Sequence, residues 1–359
     1  MSVQVGYKKQ FFLYLLLFLI LIVTIESGIR IYDHYYPSCS FFDSDVFLEM
    51  DDNLKRTICH DNSKLKWSIM PLRLEPNQNF ETLNVNSDGF RGPELQENSK
   101  YRIFIVGGST VFGVGATSDN HTIPGYIQQF FDKQFPDEDI EIINAGIPKA
   151  YSSTEAEFIK NSLVNYNPDL IVIYDGWNDL NHSYKQFESI DSSPTDELIR
   201  MINRSDYLTP KVLIQQYFNY QRTSTDIMDF DSSYISEKVN LWKNNLEETC
   251  KNSEVQNLKT VIILQPLLGT GNKILSEEEM HYHEHYDSKT MIKYYESYAE
   301  NLNDLINSCN KTIDLRDVFD PYEQTVYYDA GHISDFGNKI VASEIYNHLS
   351  IFLKNEISK

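Results

Sequence analysis

The stretch RIFIVGGSTVFGVGA (Arg102–Ala116) decides how the chain is read. Ile103 to Val106 is an unbroken apolar run of β-formers, and it ends abruptly on Gly107-Gly108-Ser109-Thr110. An apolar run without alternation reads as a strand buried on both faces, as in a parallel sheet. Three readings of its end compete: a phosphate cradle, a mount for a nucleophile, or a plain turn. The phosphate readings fail. A P-loop requires a lysine after its last glycine, and none follows Gly113. The dinucleotide fingerprint requires a third glycine that the Gly113/Gly115 pair lacks.

Further runs resemble the first: IEIINAG (140–146), DLIVIYDG (169–176) and KTVIILQP (259–266). Between them lie helical patterns. Ile123, Ile127, Phe130 and Phe131 repeat at helical spacing, with Thr122 as cap and Pro124 in the first turn. Ser152 and Glu155 stand at capping-box spacing. Two more stripes follow: Ile292, Tyr295, Ala299, Leu302 and Ile306, then Val341, Ile345, Leu349 and Phe352. Strand and helix alternate, so the expected class is α/β with a mostly parallel sheet.

The chain has 359 residues, 41% of them hydrophobic, enough for a sizeable core. Its net charge of −21 repels phosphate backbones and excludes nucleic acid as a partner. The uncharged run Phe11–Ile25 is shorter than the roughly 20 residues of a full span, and Tyr7, Ile29 and Ile31 extend it. Lys8 and Lys9 precede it, which places the N-terminus inside and the rest outside. A cleaved signal peptide is the rival, but no small-x-small cleavage pattern follows the run, so a signal-anchor over 1–31 is preferred. Outside, Cys39–Cys59 and Cys250–Cys309 are expected disulfides. The sequons at Asn120, Asn181, Asn203 and Asn310 fit that placement. Residues 32–100 read as a membrane-proximal stalk and lead-in, with 101–359 as the main domain. Residues 181–258 carry no strong strand and read as a helical insertion, either a cap over the site or a spacer; Leu241, Trp242 and Leu246 share one helix in it.

Ligands of open α/β sheets gather at the carboxyl ends of strands. Those ends carry Ser109, then Asn144-Ala145-Gly146, then Asp175-Gly176-Trp177-Asn178-Asp179. Before the last helix stands DAGHISDFGN, with Asp329 and His332 three apart. A serine requires a base to become nucleophilic. His332 is the candidate base and Asp329 its orienter. The N–H groups of Ser109 and Gly146 and the amide of Asn178 are the candidate oxyanion donors.

In that order the set resembles the SGNH branch of the GDSL hydrolases. IVGGST matches the first block, NAGIPKAYS the second, YDGWNDL the third and DAGHISDFGN the fourth. The lead-in NSDGFRGPE (86–94) also resembles one that precedes the domain in membrane-anchored members. The resemblance implies a flavodoxin-like, three-layer α/β/α fold. It further implies serine ester hydrolysis with no cofactor and no metal, on ester-bearing glycans, lipids or small molecules. A transferase using the same serine and a non-catalytic glycan-binding or partner-binding protein are the alternatives. The family's first block often reads Gly-Asp-Ser; Gly108 replaces that Asp, which lies outside the triad.

Other residues have two readings each. His281, His283 and His285 alternate in MHYHEHYDSK, as metal ligands or, preferred, as a solvated loop or cap helix. Trp177 reads as pocket wall or core. Asp175 and Asp179 read as structural rather than catalytic.

Overall fold

The computed structural model describes residues 6–35, 39, 44–69, 71–97, 99–181, 202, 207–213, 232–285 and 288–357. The chain divides into two compact units: 1–38 with 183–229, and 39–182 with 230–359. In the first, Tyr7–Tyr35 forms a single helix with its apolar side chains exposed. It is long and apolar enough to cross a membrane, a property that a span and a signal peptide share.

The second unit is built on a parallel sheet. Short strands come first: β1 (Trp67–Ile69), β2 (Leu72–Leu74), β3 (Gln78–Asn79) and β4 (Asn84–Val85). Then follow β5 (Tyr101–Gly107), β6 (Ile140–Gly146), β7 (Leu170–Asp175), β8 (Lys259–Leu264) and β9 (Lys311–Asp314). These last five pair in the order β6-β5-β7-β8-β9, every pair parallel. That is the flavodoxin-like order, whose switch point lies between β5 and β7. Alternate residues of each apolar run serve opposite faces. Phe104, Val106, Ile171, Ile173, Ile262 and Leu264 pack with the helices Ser152–Asn161, Ser232–Val255 and Ser288–Leu302. Ile103, Ile105, Val172, Val261 and Ile263 pack with Ile123–Gln134 and Asp335–Ile357. Burial on both faces accounts for the lack of polar alternation.

Several local expectations change. Residues 44–97, expected as part of a stalk, pack into the body. Leu72, Leu74, Leu83, Val85 and Phe90 join the same core as β5 and β7. Strands of two or three residues are too short to show a period in sequence. The Ser232–Val255 helix, expected within the insertion, is the crossover between β7 and β8, with Trp242 and Leu246 buried. Residues 182–201, 203–206 and 214–231 of that stretch lie outside the described residues, so the cap reading falls there. Tyr151, not Ser152, caps its helix, and Thr154 closes the box. Glu155 is instead fully buried, and Ile306 lies exposed beyond its stripe. Both expected disulfides are formed, Cys39–Cys59 and Cys250–Cys309.

Candidate active site

Ser109 opens the helical turn Ser109–Phe112 directly after β5, beside the switch point. Its first-turn N–H has no intrahelical acceptor. From far along the chain, His332 Nε2 reaches Ser109 Oγ at 2.7 Å. His332 Nδ1 lies 2.7 Å from Asp329 Oδ2, and Asp329 Oδ1 accepts from the N–H groups of Gly331 (2.9 Å) and His332 (2.7 Å). Burial by itself would lower the His332 imidazole; the Asp329 carboxylate outweighs it and holds the ring above its ordinary 6.5. Burial would raise Asp329; the charge and hydrogen bond of His332 and two backbone N–H groups hold it below its ordinary value. A hydroxyl, imidazole and carboxylate so aligned can move the hydroxyl proton to nitrogen as oxygen attacks a carbonyl.

The third strand end is also assembled here. A Cβ on Gly108 would lie 2.4 Å from Asn178 Nδ2, so the amide lies against the turn that starts at Ser109. That amide donates one N–H to Ala150 O at 2.6 Å, and a primary amide has a second to give. A side chain at position 108 would meet this amide. Trp177 is half-buried on the core, and a Cβ on Gly331 would lie 3.4 Å from its indole. Trp177 thus packs on the core, as one of its two readings expects, and lies against the loop that carries His332.

Gly146 departs from expectation. Its N–H donates to Asn144 Oδ1 at 3.0 Å, and a Cβ there would lie 2.2 Å from Phe112 N. It backs the Ser109 helix at van der Waals range, and its N–H is already taken. The part of this block that reaches Asn178 is Ala150, after Lys149 in the left-handed region at φ 66°.

Sequence reading missed several residues that hold this geometry. Tyr328 stacks parallel on the His332 ring, centroids 5.7 Å apart, and donates to Val114 O at 2.5 Å. Glu279 accepts from the N–H groups of Val326 (2.9 Å) and Tyr327 (3.2 Å), just ahead of Asp329, and pairs with the buried Lys273 at 2.6 Å. Asp179, already read from the sequence as structural, accepts from Ser152 N at 2.9 Å and from Ser152 Oγ, tying the Asn178 turn to the Ser152–Asn161 helix. Burial, then Asp179, pushes Glu155 well above the usual carboxylate range. Burial, then Asp179 and Glu155, does the same to Asp175. These carboxyls lie inside the fold, where the sequence shows only polar residues near a strand end. His283 packs against Gly269, and His281 lies beside Tyr282. Among the described residues no group of three His, Cys, Asp or Glu converges as metal ligands.

The profile of the GDSL-like lipase/acylhydrolase family matches residues 103–345. The chain belongs to that family. This acylhydrolase is thus an ester-cleaving hydrolase. No curated protein sequence matches it. Among solved structures, the acylhydrolase is similar to an acetylxylan esterase from Geobacillus stearothermophilus: 13% identity, 70% of this chain, 95% of that one, TM-score 0.41. A second acetyl xylan esterase matches at 15% identity over 69% of this chain and 98% of its own, TM-score 0.42. An α/β hydrolase from the metagenome of Lake Arreo, Spain, matches at 12% over 68% and 92%, TM-score 0.41.

Proposed function

We propose that the chain is a membrane-tethered serine esterase acting outside the cytoplasm on acyl or acetyl esters of glycans or lipids. The observation that carries this reading is the unbroken relay from Ser109 Oγ through His332 to Asp329, with 2.7 Å at each step. Ser109 Oγ attacks the ester carbonyl carbon while its proton passes to His332 Nε2. Asp329 stabilises the imidazolium. The tetrahedral oxyanion accepts from the Ser109 N–H and from the second N–H of Asn178. As the carbonyl re-forms, the carbon–oxygen bond to the alcohol breaks and His332 protonates the leaving oxygen. Water then attacks the acyl-Ser109, giving its proton to His332. The carboxylic acid departs and the proton returns to Ser109 Oγ. The tether reading is supported by the exposed apolar helix Tyr7–Tyr35 and the lysines Lys8 and Lys9 near its start. The substrate class follows from that placement together with the family's acylhydrolase chemistry.

The test is hydrolysis of p-nitrophenyl acetate by the full-length chain in detergent micelles. Ser109→Ala and His332→Ala are expected to abolish it, with a wild-type melting curve. Activity unchanged in Ser109→Ala overturns the reading.

A further inference from the structure

The stretch NSDGFRGPE (Asn86–Glu94) lies upstream of the central sheet and of the family-matched segment. Asn86 folds it into a tight turn. Its Oδ1 accepts from the N–H groups of Asp88 (3.0 Å) and Phe90 (2.9 Å), and its Nδ2 donates to Pro93 O at 2.8 Å. The turn delivers Arg91 into the body, where its side chain is 1% exposed. A buried guanidinium is costly unless its donors are met. Here Nη1 donates to the carbonyls of Phe112 (3.0 Å) and Gly113 (2.8 Å), Nη2 to Thr82 O (3.2 Å), and Nε to Asp119 Oδ1 (2.7 Å).

Phe112 and Gly113 close the helical turn that begins at Ser109, and the N–H groups of Gly113 and Val114 both return to Ser109 O, at 2.9 and 3.0 Å. The last carbonyls of a helix lack partners and carry partial negative charge, so a cation belongs there. A single turn has no stability of its own. What holds its far end therefore sets where its first residue points. The Phe112 carbonyl also accepts from Asn144 Nδ2 at 3.2 Å, and Arg91 N donates to Asn144 O at 3.2 Å. Arg91 thus joins three parts: its guanidinium reaches the end of the Ser109 helix and Thr82 of the lead-in, and its backbone N–H reaches Asn144 of β6.

We propose that Arg91 is a positioning residue of the esterase: its guanidinium clamps the carboxyl end of the Ser109 helix and so sets the Ser109 hydroxyl against His332. The proposal rests on Ser109 being the nucleophile. It also extends the catalytic unit upstream of residue 101, because a chain trimmed to the matched segment lacks the clamp. A lysine ammonium cannot span both carbonyls together with Thr82 and Asp119, since it lacks the planar fork.

The test compares full-length wild type with Arg91→Lys, Arg91→Ala, Ser109→Ala and Leu349→Ala, each assayed at a temperature where it is folded. Leu349 is a buried residue about 20 Å along the last helix from its start at Asp335, and serves as a destabilised control. Two rates are read: kcat for p-nitrophenyl acetate and the rate of Ser109 labelling by a fluorophosphonate. Both Arg91 variants are expected to lose roughly 10²-fold in each rate, the effect of about 1 Å of misplacement, with KM little changed. Methylguanidinium is expected to restore part of the Arg91→Ala rate, while Leu349→Ala lowers Tm and keeps kcat. Wild-type rates in either folded Arg91 variant, with Ser109→Ala inactive, overturn the clamp alone. Failure of both variants to fold also overturns it, since Arg91 then serves only the fold. Full activity in Ser109→Ala overturns the nucleophile and the clamp together.

Discussion

The amide of Asn178 occupies the space that a β-carbon at position 108 would need, with 2.4 Å between them. Gly108 has a φ of −82°, outside the left-handed region that favours glycine. The obstacle is the far end of a side chain, which can swing aside. Gly108→Ala is therefore expected to keep a near wild-type Tm and to displace the Asn178 amide. Loss of one oxyanion donor lowers kcat by roughly 10²–10³-fold. Kinetics beside thermal melts check this, and the double variant with Asn178→Ala is expected to be no worse than the worse single variant. Wild-type kcat in Gly108→Ala would remove Asn178 from the oxyanion hole.

The base must be unprotonated to act. Asp329 holds the His332 imidazole above its ordinary 6.5, so kcat/KM is expected to rise with pH through a midpoint above 6.5. Asp329→Asn removes the partner that raises it. That variant is expected to lose roughly 10⁴-fold in rate, as in other triads, and to shift the acid limb downward. A limb that stays in place assigns the titration to another group.

Glu155 is fully buried and feels the charge of Asp179, and among the described residues neither of its carboxyl oxygens has a hydrogen-bond partner. Burial and Asp179 raise its folded pKa above the ordinary 4.5. A raised acid binds its proton more tightly when folded, so its stability contribution is full at low pH and is lost as pH rises through the folded value. Glu155→Gln keeps the neutral shape. Its Tm is expected to gain on wild type as pH climbs from 4.5 towards 8. Above that range Lys238, lowered to about 8 by burial against the pull of Asp179, begins to contribute. Melts across that series decide it; a constant gap between the two proteins means Glu155 does not titrate there.

The Cys250–Cys309 disulfide closes a sequence separation of 59. On the chain-entropy account its loss costs about 4 kcal/mol. The Cys250→Ala/Cys309→Ala protein is expected to unfold at correspondingly lower urea, and a reductant is expected to weaken wild type more than this variant. Equal response to reductant would mean that the thiols are unpaired in solution.

Much of the site was legible because four short motifs sit on strand ends or just before the last helix. Ser109 and Asn178 could be named as candidates from the residues that end apolar runs, and Asp329 and His332 from their spacing before the last helix. Gly146 was misjudged for an equally local reason. A glycine at a strand end looks like an open approach, but nothing near it in the chain shows that Phe112 lies against it or that Asn144 takes its N–H. β9 was missed because Lys311–Asp314 has too few apolar residues to stand out. The lead-in read as a stalk because its buried residues are spread over strands of two or three.

The class of the fold and the order of the chemistry can be read from the residues alone. Burial on both faces requires continuous apolar runs, and residues at their ends must emerge at one edge of a parallel sheet. The tertiary structure decided what that edge can do. Ser109 and His332 are 223 residues apart, and Arg91 meets Phe112 from 21 residues upstream. Periodicity reports which face a residue turns inward; it carries no record of which distant backbone group that face will meet. The clamp on the Ser109 helix, the space kept by Gly108 and the Tyr328 ring on His332 each depend on such a meeting.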